Sequence, residues 1–444
     1  MLKRLKQAAR ITMLCTLAVG TTFAFANGAL AKDIKNRPAS YRTVVEVEDW
    51  GPTITKVIVD LGKPVPKNAI ARDTFKVHVK RSDSRLADPF LEEGERKVTR
   101  AYVADKDGNP VKQTGRYAVL EMEIGPALTL GSAINYDSAG SGFNDWNDNQ
   151  YTIIQQKAIK TSTGTISGLT VNSSAGEIRE LVDEFTTGKA AFNGVTLTYA
   201  DYAPAKDKGK NPLIIWLHGM GEGGTAPTIA IAGNKAVNFA SKDIQSYFGG
   251  AYVLAPQTPT YWMDGFTGFG DGTSKYEEAL MALIKDYVAK NKDIDTNRIY
   301  IGGDSNGGYM TMLMMRDYKD YFAGAMAVCE ALKDTLITDE QIRAMKDLPI
   351  WFVAAKTDTV VPPHEYAVPT YNRLIDAGAK DVHLSLFDNV VDTSGLYKKS
   401  DGTPFEYNGH WSWIYVYNNE VSNVIDGKTT TIMEWLASKS LDKQ

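Results

Sequence analysis

The stretch Tyr300-Ile301-Gly302-Gly303-Asp304-Ser305-Asn306-Gly307-Gly308-Tyr309 decides the fold. It closes an apolar strand, sets Gly303-Asp304-Ser305-Asn306-Gly307 in a G-x-S-x-G pattern, and runs into a Met-rich helical segment. Strand, tight turn and helix together are the context in which this pattern lifts a serine hydroxyl above a sheet. The backbone at such a turn is strained. Glycines on either side let it close without a Cβ striking the neighbouring strand and helix. The first N–H groups of the helix have no partner within it and can stabilise a developing oxyanion.

Working outward, six apolar runs alternate with helical segments from about Phe185 onward. They are Leu213–Leu217, Ala251–Ala255, Arg298–Ile301, Gly324–Val328, Ile350–Ala354 and Val382–Phe387. Continuous apolar strands imply burial on both faces, as in a parallel sheet. Tyr276, Leu280, Leu283, Ile284, Tyr287 and Val288 repeat at helical spacing between two of them. The expected fold class is therefore α/β, with a mostly parallel sheet over 181–444. Ahead of it, Thr43–Glu48 and Phe75–Lys80 alternate apolar with polar, and Tyr117–Ile124 is a further strand. Short strands between Asp/Gly/Asn/Pro turns predict a β-sandwich over 32–180. Ser162–Gly176 reads as a connector.

The chain has 444 residues, and 43% hydrophobic with 23% charged fits a globular protein of two domains. Its first 31 residues differ. Lys3, Arg4, Lys6 and Arg10 precede an apolar stretch, Ile11–Ala26, and Ala29-Leu30-Ala31 is a small-x-small cleavage site. This reads as a signal peptide for export to the periplasm or beyond the cell. The apolar part is too short to anchor the chain in a bilayer. Cleavage removes four cationic and no acidic residues and moves the formal charge from −4 to −8. Such a balance gives no electrostatic reason to bind nucleic acid or anionic lipid. Cys15 leaves with the peptide, so Cys329 remains alone and no intrachain disulfide is expected. The residues before Cys15 lack the small side chains of a lipidation site.

A serine hydroxyl needs a base at neutral pH. The candidates after cleavage are His78, His218, His364, His383 and His410. The order serine, acid, histidine, with the histidine beyond the last strand, points to His410 and leaves His364 as the alternative. The acid should follow the strand Ile350–Ala354. Asp358 does, with Asp388 and Asp392 as alternates. Its task is to hold the imidazole in one tautomer and stabilise the imidazolium. His218-Gly219-Met220-Gly221 follows an early strand and offers the other half of an oxyanion hole, so the donors are expected at the amides of Met220 and Asn306. The same loop lacks the Lys-Ser/Thr ending of a phosphate-binding loop. Tyr261 and Trp262 lie past a strand end, where loops line the site in open α/β sheets, and are expected to wall the substrate. Trp411 and Trp413 flank the base and are expected either to join that wall or to seal the core. Cys329 reads as a small buried residue. Asp145–Asn149 lacks the glycine and distal glutamate of a calcium loop. No metal or cofactor is called for.

At these residues the chain resembles bacterial carboxylesterases of the α/β-hydrolase superfamily that carry an N-terminal immunoglobulin-like domain. The resemblance rests on Asn193–Tyr199 leading to Pro204, His218–Glu222, Ala255-Pro256-Gln257, Arg298–Gly308 and Asp358. For the first domain it rests on position and pattern alone. It implies a Ser305/Asp358/His410 triad and hydrolysis of small-molecule or polymer esters, usually with short acyl chains. Feruloyl esterases, polyester depolymerases and prolyl-oligopeptidase-like peptidases are among the relatives. The β-domain is then expected to brace the catalytic domain, cover its site or mediate assembly into a homo-oligomer. One departure is a loop of about twenty residues before His410, expected to shape the pocket. The rival from another class is a surface-polymer binding protein on a degenerate hydrolase fold.

Overall fold

A computed structural model describes residues 39–206 and 208–443, and 39–444 form one compact unit. The signal peptide expected over residues 1–31 lies outside the described residues.

The N-terminal half is a sandwich of two sheets. One has the strand order Ser174–Arg179, Tyr41–Glu48, Gly51–Pro66, Thr114–Met122, Val98–Ala104; the other runs Thr170–Val171, Asp148–Gln155, Phe75–Ser82, Phe90–Arg96. Alternation creates the core. In Phe75–Ser82 the side chains of Phe75, Val77 and Val79 point inward, while Lys76 and Lys80 are exposed. They meet Val45, Ile54, Val57, Val59 and Leu120 of the other sheet. Two arginines are buried with them and are satisfied by backbone carbonyls: Arg81 donates to Ser132 (3.0 Å) and Ile134 (3.1 Å), and Arg96 to Ile54 (3.0 Å). The stretch expected to be a connector, Ser162–Gly176, instead holds strand residues 164–166 and 170–171 and opens the edge strand Ser174–Arg179, which pairs in parallel with Tyr41–Glu48. Its Gly/Ser content marks hairpins and an exposed edge rather than a linker.

The second half is built on an eight-stranded sheet: Thr186–Phe192 (β1), Val195–Tyr202 (β2), Asn211–Leu217 (β3), Tyr252–Gln257 (β4), Ile294–Asp304 (β5), Gly324–Val328 (β6), Ile350–Ala355 (β7) and Val382–Phe387 (β8). The spatial order is β1-β2-β4-β3-β5-β6-β7-β8. All neighbours from β4 to β8 are parallel, and β2 runs antiparallel to both β1 and β4. The six apolar runs are the parallel strands. The β1–β2 hairpin is additional to them. It turns on Asn193-Gly194, both at positive φ (51° and 80°), as a two-residue hairpin requires.

The pleat of β3 explains the layers. Leu213, Ile215 and Leu217 join one core with the helices Glu277–Lys290 and Asn306–Asp317, whereas Ile214 and Trp216 join another with the helices Lys242–Phe248, Trp413–Tyr417 and Ile432–Ala437. The N-terminal sandwich is pinned to this domain by polar contacts. Asp49 pairs with Lys235 (2.7 Å), Trp146 Nε1 donates to Thr228 (2.9 Å), and Asn144 donates to Glu222 (3.0 Å).

Candidate active site

β5 ends at Asp304, and the helix Asn306–Asp317 starts two residues later. Between them Ser305 has φ 55° and ψ −114°, outside the regions a side chain prefers. Such a conformation costs about 1–3 kcal/mol and persists only when its surroundings fix it. Here they do. The Ser305 N–H donates to Val328 O at 2.9 Å. A Cβ on Gly303 would lie 2.6 Å from Leu217 O, and one on Gly308 2.7 Å from Glu330 Cα. Glycine is the residue that lets β3, β5 and the helix approach this closely.

His410 lies in the wall of the cavity that holds Ser305. Its Nδ1 bonds Asp358 Oδ2 at 2.8 Å, and Asp358 Oδ1 accepts from the amides of Val360 (2.8 Å) and Val361 (2.9 Å). Both residues are buried. The carboxylate is thus held from three directions, and Nε2 is the ring nitrogen left to exchange a proton. Gly409 permits the approach, since a Cβ there would sit 2.5 Å from the Thr357 carbonyl. Replacing Asp358 with asparagine should lower kcat by roughly 10³- to 10⁴-fold with little change in KM, because the imidazole loses its orienting acceptor. Steady-state kinetics with a chromogenic ester would check this, and a loss under tenfold would remove Asp358 from the role.

The other histidines lie elsewhere. His364 is exposed. His383 bonds Asp381 (3.1 Å) between Trp351 and Trp435. His78 belongs to the sandwich. His218 is buried behind the loop it precedes. Its Nδ1 lies 2.6 Å from Gly219 O, which can only accept, and its Nε2 accepts from the Thr258 amide at 3.2 Å. Those partners fix a neutral Nδ1–H tautomer, and burial pushes its pKa down to about 4. His218 therefore shapes the loop. Of the alternate acids, Asp388 pairs with Lys356 on the surface, and Asp392 caps its own turn through Ser394 and Gly395.

Met220 opens the short 3₁₀ turn Met220–Glu222, and Asn306 opens the helix. Amides at such positions lack intrahelical acceptors. Both residues line the same cavity as Ser305 and His410.

The aromatic wall differs from expectation. Trp262 is fully buried, its backbone N–H donates to Asn306 Oδ1 (2.6 Å), and its ring packs on His218. It holds the Asn306 side chain in place. Tyr261 is sandwiched between Phe143 and Phe266 and supports Phe266, which faces the cavity. The wall is formed by Met263, Phe266 and Phe269 in their place, together with Trp411 and Trp413, the pair expected either there or in the core. Its far side comes from the β-domain, with Trp50, Ile134, Tyr136 and Asn144. The cavity measures about 580 Å³. The long loop before His410 acts at one remove: Tyr397 packs edge-on against Trp50, with ring centres 4.8 Å apart.

Residues 40–168 match the model of the esterase Ig-like N-terminal domain, and residues 272–344 match that of the prolyl oligopeptidase family. A crystal structure of a thermostable esterase superposes with a TM-score of 0.74 at 24% identity, covering 90% of this chain and 99% of that one. The chain carries an α/β-hydrolase fold behind a domain that matches the esterase Ig-like model. The chain is also 30% identical over 144 residues to a poly(3-hydroxybutyrate) depolymerase of Ralstonia pickettii, covering 30% of this chain and 29% of that protein. It is 29% identical over 168 residues to feruloyl esterase B of Neurospora crassa, covering 36% of this chain and 52% of that protein. The chain thus spans about half or less of the length of these curated relatives.

Sequence reasoning missed Glu222, Asn234 and Asp304, which gather in the wall of the same cavity, beside the loop that follows β3. Asn234 Nδ2 donates to Asp304 Oδ2 (2.8 Å) and to Glu222 Oε2 (3.2 Å). Asp304 was visible inside the G-x-S-x-G motif and Glu222 beside H-G-x-G, but nothing in their order announces that one amide joins them.

Proposed function

We propose that the protein is an exported serine esterase that hydrolyses carboxylic esters through an acyl-enzyme. The observation that carries this reading is the buried His410–Asp358 pair, bonded at 2.8 Å, in the wall of the cavity that also holds Ser305. Ser305 Oγ attacks the ester carbonyl carbon while His410 Nε2 takes its proton. The carbonyl oxygen becomes an oxyanion facing the Met220 and Asn306 amides, each donor contributing about 3 kcal/mol at the transition state. Collapse breaks the C–O bond, and the alcohol leaves with the proton from His410. Water then attacks the acyl carbon, His410 again takes and returns a proton, and the carboxylic acid departs.

The cavity volume of about 580 Å³ and its aromatic lining fit a substrate larger than an acetyl ester. The similarities to a polyester depolymerase and a feruloyl esterase support the same direction. The prolyl oligopeptidase match over 272–344 supports a second reading, peptide hydrolysis at the same serine. A panel of p-nitrophenyl esters of graded acyl length, a feruloyl ester, a polyester suspension and a peptide amide separates them. The esterase reading expects kcat/KM for the best ester to exceed that for the amide by orders of magnitude, with the optimum beyond acetate. Preferred cleavage of the amide would favour the peptidase, and turnover of none would favour the polymer-binding protein.

A further inference from the structure

Two buried acids sit behind the oxyanion loop without a cation between them. Asp304 immediately precedes Ser305, and Glu222 closes the turn that begins at Met220. Neither is exposed. They converge on one point, because a Cβ placed on Gly219 would lie 2.8 Å from Asp304 Oδ2 and 3.0 Å from Glu222 Oε2. Asn234 donates to both, and Asn144 of the β-domain donates to the other Glu222 oxygen. Neutral amides satisfy hydrogen bonds but do not neutralise two carboxylates in a water-poor site.

We propose that Glu222 is a positioning residue for acyl transfer: through Asn234 it ties the oxyanion loop to Asp304, and hence to the Ser305 turn. The inference rests on the hydrolase reading above. Glu222 performs this as a carboxylic acid. Burial, and then the charge of Asp304, push its carboxyl well above the carboxylate range. Burial also raises Asp304, but His410 opposes that rise, so Asp304 is the partner that ionises first. The other titratable groups facing the pair are Tyr417 at the end of the helix Trp413–Tyr417, Cys329 just past β6, Tyr136 from the β-domain hairpin and the neutral His218 in the same loop. None supplies a positive charge to Glu222. When Glu222 ionises, a second negative charge appears on the turn that opens with Met220, the proposed oxyanion donor.

The sign for stability follows. A carboxyl with a raised folded-state pKa weakens the fold progressively as pH climbs from its unfolded value to its folded one. Glu222→Gln keeps the shape and, with its oxygen turned to Asn234, the acceptor for that amide, without the charge; the bond from Asn144 is the one weakened. The test compares wild type, Glu222→Gln and Glu222→Ala, using p-nitrophenyl butyrate kinetics and thermal melting from pH 5 to pH 9.5. Four results are expected. Wild-type kcat falls as pH passes the value of about 8 to which the Glu222 carboxyl is pushed. Glu222→Gln loses roughly threefold in kcat at neutral pH, the scale of one weakened hydrogen bond, yet lacks the alkaline fall. Its melting temperature, relative to wild type, rises with pH. Glu222→Ala loses roughly 10- to 100-fold in kcat with KM little changed, as a misplaced oxyanion donor does.

A structural carboxylate would give the opposite melting trend, with Glu222→Gln losing stability as pH rises, and that result overturns the proposal. So does an alkaline limb shared by wild type and Glu222→Gln. An inert wild type whose melting data still follow the expected trend would sink the hydrolase reading and this role with it, while leaving the protonated carboxyl standing; activity with the wrong trend would sink the Glu222 role alone.

Discussion

Replacing Ser305 with alanine should lower kcat by roughly 10⁵- to 10⁶-fold while the fold survives. The size of the loss follows from the division of labour at the site. Triad members act as a unit, and removing the nucleophile costs about as much as removing all of them. What remains is the oxyanion hole and substrate binding, worth roughly 10³-fold over water. Survival of the fold follows from the local structure. Ser305 caps the helix with its backbone geometry, and its hydroxyl makes no capping bond. The bonds that hold the turn run through its amide, to Val328 O, and through its carbonyl, to the Tyr309 amide. Alanine keeps both. Circular dichroism and melting of the variant should match wild type, and kinetics with the best ester of the panel give the rate. Retention of more than a thousandth of wild-type kcat, in protein free of contaminating esterase, would mean that another group is the nucleophile.

The second large effect is expected on the fold itself. Gly307→Ala would set a Cβ 1.9 Å from Leu217 O, 2.5 Å from Leu217 C and 2.7 Å from His218 O. All three are backbone atoms, so no flexible side chain can yield. The helix Asn306–Asp317 must draw away from β3, and both ends of the oxyanion hole move, since Met220 lies two residues past His218 and Asn306 lies beside Gly307. We expect a loss of at least about 3 kcal/mol, the upper end of overpacking costs, together with lower activity in the folded fraction. Gly268→Ala is the matched control: a Cβ there meets nothing within 4 Å, and the change should stay within about 0.5 kcal/mol. Chemical denaturation measures both. Equal stabilities for the two variants would show that this close approach of helix and strand is not present in the protein.

Most of the α/β architecture is legible in the sequence because its strands are buried on both faces and read as unbroken apolar runs. The G-x-S-x-G turn is legible for a steric reason: glycines at 303, 307 and 308 stand where a Cβ would strike backbone. Asp358 and His410, singled out by their order after β7 and β8, do share a hydrogen bond. The β1–β2 hairpin carried a readable signal, Asn193-Gly194 between alternating residues, which strand length and mixed polarity obscured. Tyr261 and Trp262 show a firmer limit. Position after a strand places a residue near the site, but which neighbour faces the cavity depends on loop conformation, and here Met263 and Phe266 face it. The β-domain wall is less legible still. Trp50, Tyr136 and Asn144 reach the site only because two separately patterned domains dock, and no local periodicity records docking. The Glu222–Asn234–Asp304 bridge combines three segments in the same way.

Incubation with a fluorophosphonate, followed by intact-mass and peptide mass spectrometry, tests hydrolysis through Ser305 most directly. One phosphonyl group should appear per chain, on the peptide that contains Ser305, with none on the Ser305→Ala variant and much slower labelling of a His410→Ala variant. A folded wild type that stays unlabelled, or that carries the group on another residue, would contradict it.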